Sequence, residues 1–179
     1  MTPHQKRIVR ASERARERVR RLTNSRPRPV SRQRTVTSRD RVLLVSCVKQ
    51  KLDAPTIARY LYQSRWFRKA RRFAESTAAP WFILSARHGL TDPDSWLEPY
   101  EQSLHDATPA ERSRWATKIA GELRERFEPD HTAIEIYAGA VYRRELVPLL
   151  RYYGFTVTVP MQGLGIGEQL AYLSHHTQE

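Results

Sequence analysis

The chain has 179 residues, 31 of them Lys or Arg and 19 Asp or Glu, giving a formal charge of +12; 40% are hydrophobic and one is cysteine. That hydrophobic content excludes a wholly disordered chain, and the lone Cys47 excludes an internal disulfide framework or a cysteine-based structural zinc site. The longest apolar runs, residues 42–45 and 81–84, are of strand length, so neither a membrane span nor a secretory core is expected and the cytoplasm is the expected compartment.

The charge is unevenly placed. Residues 1–41 hold Lys6 and thirteen Arg against Glu13, Glu17 and Asp40, a net of +11, which leaves +1 for residues 42–179. The chain therefore reads as a basic arm and linker over 1–41, largely disordered or partly helical, followed by a domain over 42–179. Residues 12–22 can form a short helix with Glu13 near Arg16 and Glu17 near Arg21. Pro27, Pro29 and the surrounding charge mark 25–40 as a linker. Arg14, Arg16, Arg18, Arg20, Arg21, Arg26 and Arg28 are candidates for sequence-independent phosphate contact, because the forked guanidinium matches phosphate geometry. A solubilising tail and an organellar presequence are the alternatives.

In the domain, residues 42–47 read as a buried strand, 55–62 and 64–75 as helical segments rich in arginine and aromatics, and 81–85 as a second strand. Residues 91–104 carry Asp92, Asp94, Glu98, Tyr100 and Glu101 without regular pattern, as a long loop covering a site does. Thr108-Pro109-Ala110-Glu111 supplies an N-cap, a first-position proline and a reciprocal acid, a strong helix start. Trp115, Ile119, Leu123 and Phe127 then place one face of that helix on the core. A third strand over 133–137, a helix over 141–153 stopped by Gly154, a fourth strand over 155–159 and a helix from 167 to about 176 complete the chain. Such alternation implies parallel strands joined by crossovers: a three-layer, Rossmann-like α/β fold with a mostly parallel sheet of about four to five strands. Its ligand site is expected beyond the carboxyl ends of the strands.

The chemically distinctive residues fall at those ends. After the first strand come Ser46, Cys47, Lys49 and Lys51. The lysines suit an anion, and a desolvated lysine can serve as nucleophile, whereas Cys47 is expected to be a small buried residue. After the second come Ser85, Arg87 and His88: the arginine suits an anion, and the histidine is the acid–base candidate by type or else a hydrogen-bonded turn residue. Glu98 is a second acid–base candidate, against the plain reading of an exposed loop acid. After the third strand, Gly139 and Tyr142 open a helix whose amides can meet an anion. After the fourth, Gly163, Gly165 and Gly167 alternate before Gln169, compatible with phosphate cradling but matching no dinucleotide or Walker motif. No spacing calls for a metal or a cofactor.

Taken together, Ser46-Cys47-x-Lys49-x-Lys51, Ser85-Ala86-Arg87-His88-Gly89-Leu90, Glu98-Pro99-Tyr100, Ala138-Gly139-x-x-Tyr142 and Gly163-Leu164-Gly165-Ile166-Gly167-x-Gln169-Leu170 resemble a bacterial and phage family of uncharacterised domains. That family is distantly similar to the peroxide-stress protein YaaA family, a DNA-associated group. The resemblance implies a compact α/β domain with a polar site of Lys49, Lys51, Arg87, His88, Tyr100, Tyr142 and Gln169, in nucleic-acid or nucleotide metabolism. Arg87 stands where a lysine is expected in the family, which keeps the charge and excludes a lysine nucleophile at that position. The expectation is an enzyme acting on a nucleotide, or on a base in DNA or RNA, at an N-glycosidic or phosphate bond. The alternative is a non-catalytic binding protein associated with nucleic acid.

Overall fold

The computed structural model describes residues 40–177. In chain order the elements are β1 (Asp40–Ser46), β2 (Thr56–Ile57), α1 (Ala58–Leu61), α2 (Arg65–Ser76), β3 (Trp81–Ser85), β4 (Gly89–Thr91), β5 (Trp96–Leu97), α3 (Pro109–Arg126), a 3₁₀ turn (Pro129–His131), β6 (Thr132–Tyr137), α4 (Ala140–Tyr152), β7 (Thr156–Thr158) and α5 (Ile166–His176). The main sheet runs β4-β3-β1-β6-β7, parallel throughout except for β4, so the fold is the expected α/β one with five strands.

β1 is central because its run of Val and Leu suits a strand covered on both faces. Val42 to Val45 have no exposed surface. The pairing register shows what covers them. Leu44 lies opposite Phe82, whose ring meets Phe127 just past α3; Val45 lies opposite Tyr137, whose ring meets Phe73 of α2. Leu44 and Val45 are consecutive and point to opposite faces. α2 packs with α5 and α3 with α4, so one helix pair covers each face and the domain has three layers.

Local chemistry sets the element ends. At α3, Thr108 Oγ1 accepts the Glu111 amide at 3.3 Å and Glu111 Oε2 accepts the Thr108 amide at 2.7 Å, the reciprocal cap the sequence predicts. Ile119 and Leu123 are fully buried on its inner face, with Trp115 and Phe127 packed at the margin. The segment 55–62 departs from its helical reading. The β-branched pair Thr56-Ile57 stays extended and pairs antiparallel with β5, and helix lasts one turn before Tyr62 returns to extended backbone and bridges Lys51. The stretch 91–104 likewise contains β5, and the second strand leads into a tight hairpin with β4. Among the described residues no helix is long and apolar enough to cross a membrane.

Removing side-chain volume from the strand covered on both faces should be costly. Leu44→Ala is expected to lower unfolding free energy by about 2–5 kcal/mol. Chemical denaturation of the purified variant would measure this, with a loss below 1 kcal/mol contradicting the central placement.

Candidate functional site

From β1 the chain passes through α2 to β3 on one side of the sheet, and from β6 it passes through α4 to β7 on the other. The carboxyl ends of β1 and β6 therefore lead away from each other, leaving a crevice at the point where strand order reverses. A cavity of about 630 Å³ lies there. Ser46, Cys47, Val48, Lys49 and Lys51 line it from the segment after β1, Gly139 and Tyr142 from the start of α4, and Ile166 and Gln169 from α5. Trp66 closes a wall from α2, and Glu101, Gln102, Ser103, His105 and Asp106 form the opposite rim. This volume falls within the roughly 300–1,000 Å³ of small-molecule sites.

The walls are fixed by side-chain bonds between distant segments. Cys47 Sγ lies 3.2 Å from the Tyr142 hydroxyl, tying the end of β1 to α4 across the crevice. Trp66 Nε1 donates to Gln169 Oε1 at 2.9 Å, and Gln169 Nε2 donates to the Leu164 carbonyl at 2.8 Å, which fixes the amide's orientation. The first turn of α4 has no acidic residue and no side-chain cap on Gly139, so the positive end of its dipole is unopposed where Gly139 lines the cavity.

Behind Lys51 lies a buried hydroxyl chain. Ser85 Oγ is 2.7 Å from the Tyr100 hydroxyl, which is 2.9 Å from that of Tyr62. Lys51 Nζ stands 4.3 Å from the centre of the Tyr100 ring and donates to the Lys49 carbonyl at 3.2 Å. The ammonium is thus held over an aromatic face at the cavity wall. Burial pushes the Tyr62 phenol up to about 12, with Cys47 acting in the same direction. Burial also raises the Tyr100 and Tyr142 phenols, again reinforced by Cys47. All three are uncharged hydrogen-bonding groups at neutral pH.

A protein-family model described as a family of unknown function (DUF6884) matches residues 42–175, nearly the whole described part of the chain. The chain belongs to the DUF6884 family. No curated protein and no solved structure matches it.

Of the residues singled out from the sequence, the DUF6884 domain brings Ser46, Lys49, Lys51, Gly139, Tyr142 and Gln169 onto the cavity, with Ser85 and Tyr100 behind it through the hydroxyl chain. The others lie elsewhere. Arg87 and His88 occupy the β3–β4 hairpin turn, where the His88 amide donates to Ser85 Oγ at 3.0 Å and its ring meets the edge of Tyr100. Burial, with Arg87 and Lys118 nearby, lowers the His88 pKa, and its buried Nε2 has no hydrogen-bond partner among the described residues. Glu98 is exposed and outside the cavity lining. Gly163 and Gly165 do not line it either; the Gly165 amide donates to Glu168 Oε2 at 2.7 Å, so that helix start already holds an anion from its own chain. The arginines from Arg14 to Arg28 lie outside the described residues.

Sequence reasoning missed Trp66, Gln102, Ser103, His105 and Asp106 as site residues. Trp66 sits in a segment read only as a helix rich in arginine and aromatics, and the other four belong to a polar run ahead of a strong helix cap, held by bonds from Arg112 Nη1 to the Leu104 and Ala107 carbonyls. Among the described residues no three His, Cys, Asp or Glu side chains gather as metal ligands.

The raised phenols make alkaline stability predictable. Tyr62, Tyr100, Tyr142 and Tyr137, the last also raised by burial and by its bond to Glu135, stay protonated in the fold, whereas a phenol in the unfolded chain ionises near pH 10. Each contributes stability that is fully present below about pH 10 and declines above it, the Tyr62 contribution being lost between about pH 10 and about 12. Phenolate absorbance from these four residues should appear in step with loss of far-UV circular dichroism. Phe substitutions identify their share; ionisation of all four in a fully folded protein would contradict the assignment.

Proposed function

We propose that the domain is an enzyme acting on a nucleotide, or on a base presented by a DNA or RNA strand, at its N-glycosidic or phosphate bond. The observation that carries this reading is the meeting of Lys49 and Lys51, the uncapped first turn of α4, and the Trp66–Gln169 pair on one nucleotide-sized cavity at the switch point of the sheet. The two ammonium groups and the α4 amides suit a phosphate. Trp66 offers an aromatic surface and Gln169 an oriented amide for a base.

Acid–base work in this reading passes from His88 and Glu98 to the rim residues Glu101, His105 and Asp106. A carboxylate takes a proton from water, the resulting hydroxide attacks the anomeric carbon or the phosphorus, the C–N or P–O bond breaks, and His105 returns a proton to the leaving group. A distant similarity of this family to the DNA-associated YaaA family is part of the proposal and points to the same substrate class. The binding-only alternative differs in one respect: it predicts affinity without turnover.

Calorimetric titration with nucleoside monophosphates tests the site. Lys49→Ala and Lys51→Ala are each expected to weaken binding by about tenfold, roughly 1.4 kcal/mol, the scale of one charge-assisted hydrogen bond. On a substrate that turns over, Asp106→Asn or Glu101→Gln should lower kcat by about 10²–10⁴ with affinity retained. Unchanged affinity in both lysine variants would overturn the assignment.

A further inference from the structure

α2 carries Arg65, Arg68, Lys69, Arg71 and Arg72 against the single acid Glu75, a net of +4 in a domain whose charge over 42–179 is +1. Of the described helices α2 carries the highest net positive charge, α3 and α4 each holding +2. Its core face consists of Phe67, Ala70, Phe73 and Ala74, and at 100° per residue Arg65, Arg68 and Arg72 fall together on the opposite side. All three are exposed. Among the described residues none of them has an acidic partner, whereas Arg71 is engaged by Glu75 and Lys69 by Ser174.

Helix stability does not account for this placement. Arg65 is the first residue of α2 and Arg68 the fourth, the end where the macrodipole disfavours cations, and the first turn has no acid to offset them. A polyanion laid along the helix would supply the missing counter-charge. The track also has a destination, because Trp66, next to Arg65 in the same first turn, lines the cavity. On one flank, Tyr60 is 48% exposed, with the Arg71 guanidinium 4.9 Å from its ring centre, an aromatic surface on which a base can stack. The large exposed hydrophobic residues of the described chain, Leu52, Tyr60, Trp96, Tyr152 and Ile166, all lie off α2, so the helix has no apolar anchor for a lipid surface.

We infer that the outward face of α2 is a binding track for the phosphate backbone of a single-stranded nucleic acid, with Arg65, Arg68 and Arg72 as its contacts, leading the strand to the cavity mouth. This rests on the proposed reading of the cavity and narrows its substrate to a base within a polymer. Arg65 to Arg72 span about 10 Å of helix, room for contacts to more than one phosphate.

The test uses the full chain, with the arm present, and a labelled oligothymidylate followed by fluorescence anisotropy. The variant Arg65→Ala/Arg68→Ala/Arg72→Ala is compared with Arg114→Ala/Arg124→Ala/Arg144→Ala, which removes the same net charge from exposed positions on α3 and α4. The α2 variant should lose at least tenfold in affinity and flatten the log–log salt dependence by about 2, at about 0.7 per lost phosphate contact. It should keep the native affinity for a nucleoside monophosphate and an undiminished melting temperature, and the control should stay within about threefold of the native chain.

Equal losses in both variants, or no loss in the α2 variant, overturn the track. So does a loss confined to phosphatidylserine vesicles or to polyglutamate. If α2 controls oligonucleotide affinity in a protein that binds no mononucleotide, the track stands and the cavity reading fails, which separates the two.

Discussion

The parallel pairing of β1 on both of its edges is the constraint from which the rest of the domain follows. A strand hydrogen-bonded on two sides and covered on two faces has no exposed surface left, and Val42 to Val45 satisfy this with aliphatic side chains alone. Parallel neighbours also require crossovers, since a two-residue hairpin cannot return the chain to the same end of the sheet. The crossovers from β1 and β6 depart in opposite directions, so the space above their carboxyl ends is one that no segment of the chain fills directly. The cavity is in this sense a by-product of strand order, and the residues after β1 and β6 line it because they have nowhere else to go.

What distinguishes this cavity from a generic crevice is the stiffness of its walls. Three hydroxyls, those of Ser85, Tyr100 and Tyr62, satisfy one another in a buried row, and Trp115 Nε1 donates to the Ser85 carbonyl at 2.8 Å, linking the row to α3. Lys51 rests on that row, and the Cys47–Tyr142 contact closes the other side. A buried polar network with every member bonded holds its shape because each alternative rotamer would leave a group unsatisfied. The Lys51 ammonium is consequently presented by a rigid support, whereas Lys49 stands exposed on the segment after β1.

Much of this was legible in the residues. The aliphatic run at 42–45 announced the central strand, the Thr108–Glu111 pair announced the start of α3, and the fourfold spacing from Trp115 to Phe127 announced its buried face. The strand-end position of Lys49, Lys51, Gly139, Tyr142 and Gln169 was sufficient to group them. Other features depend on information the local sequence does not carry. Ser85 to Gly89 closes a hairpin that turns His88 away from the cavity, because Gly89 takes a φ of +79° and lets β4 return antiparallel beside β3. The polar loop 101–106 has no periodicity; burial of Leu104 in the core and the bonds from Arg112 to the Leu104 and Ala107 carbonyls hold the segment whose Glu101, His105 and Asp106 form the rim.

The two outer strands of the sheet, β4 and β7, are each only three residues long. Any open sheet ends in unpaired backbone donors and acceptors, and long flat edges recruit other chains by continuing the ladder. This sheet keeps its long strands, β1 and β6, inside and presents at either border a strip too short to template a neighbour. Self-association by extension of this sheet therefore finds little to bind at either border.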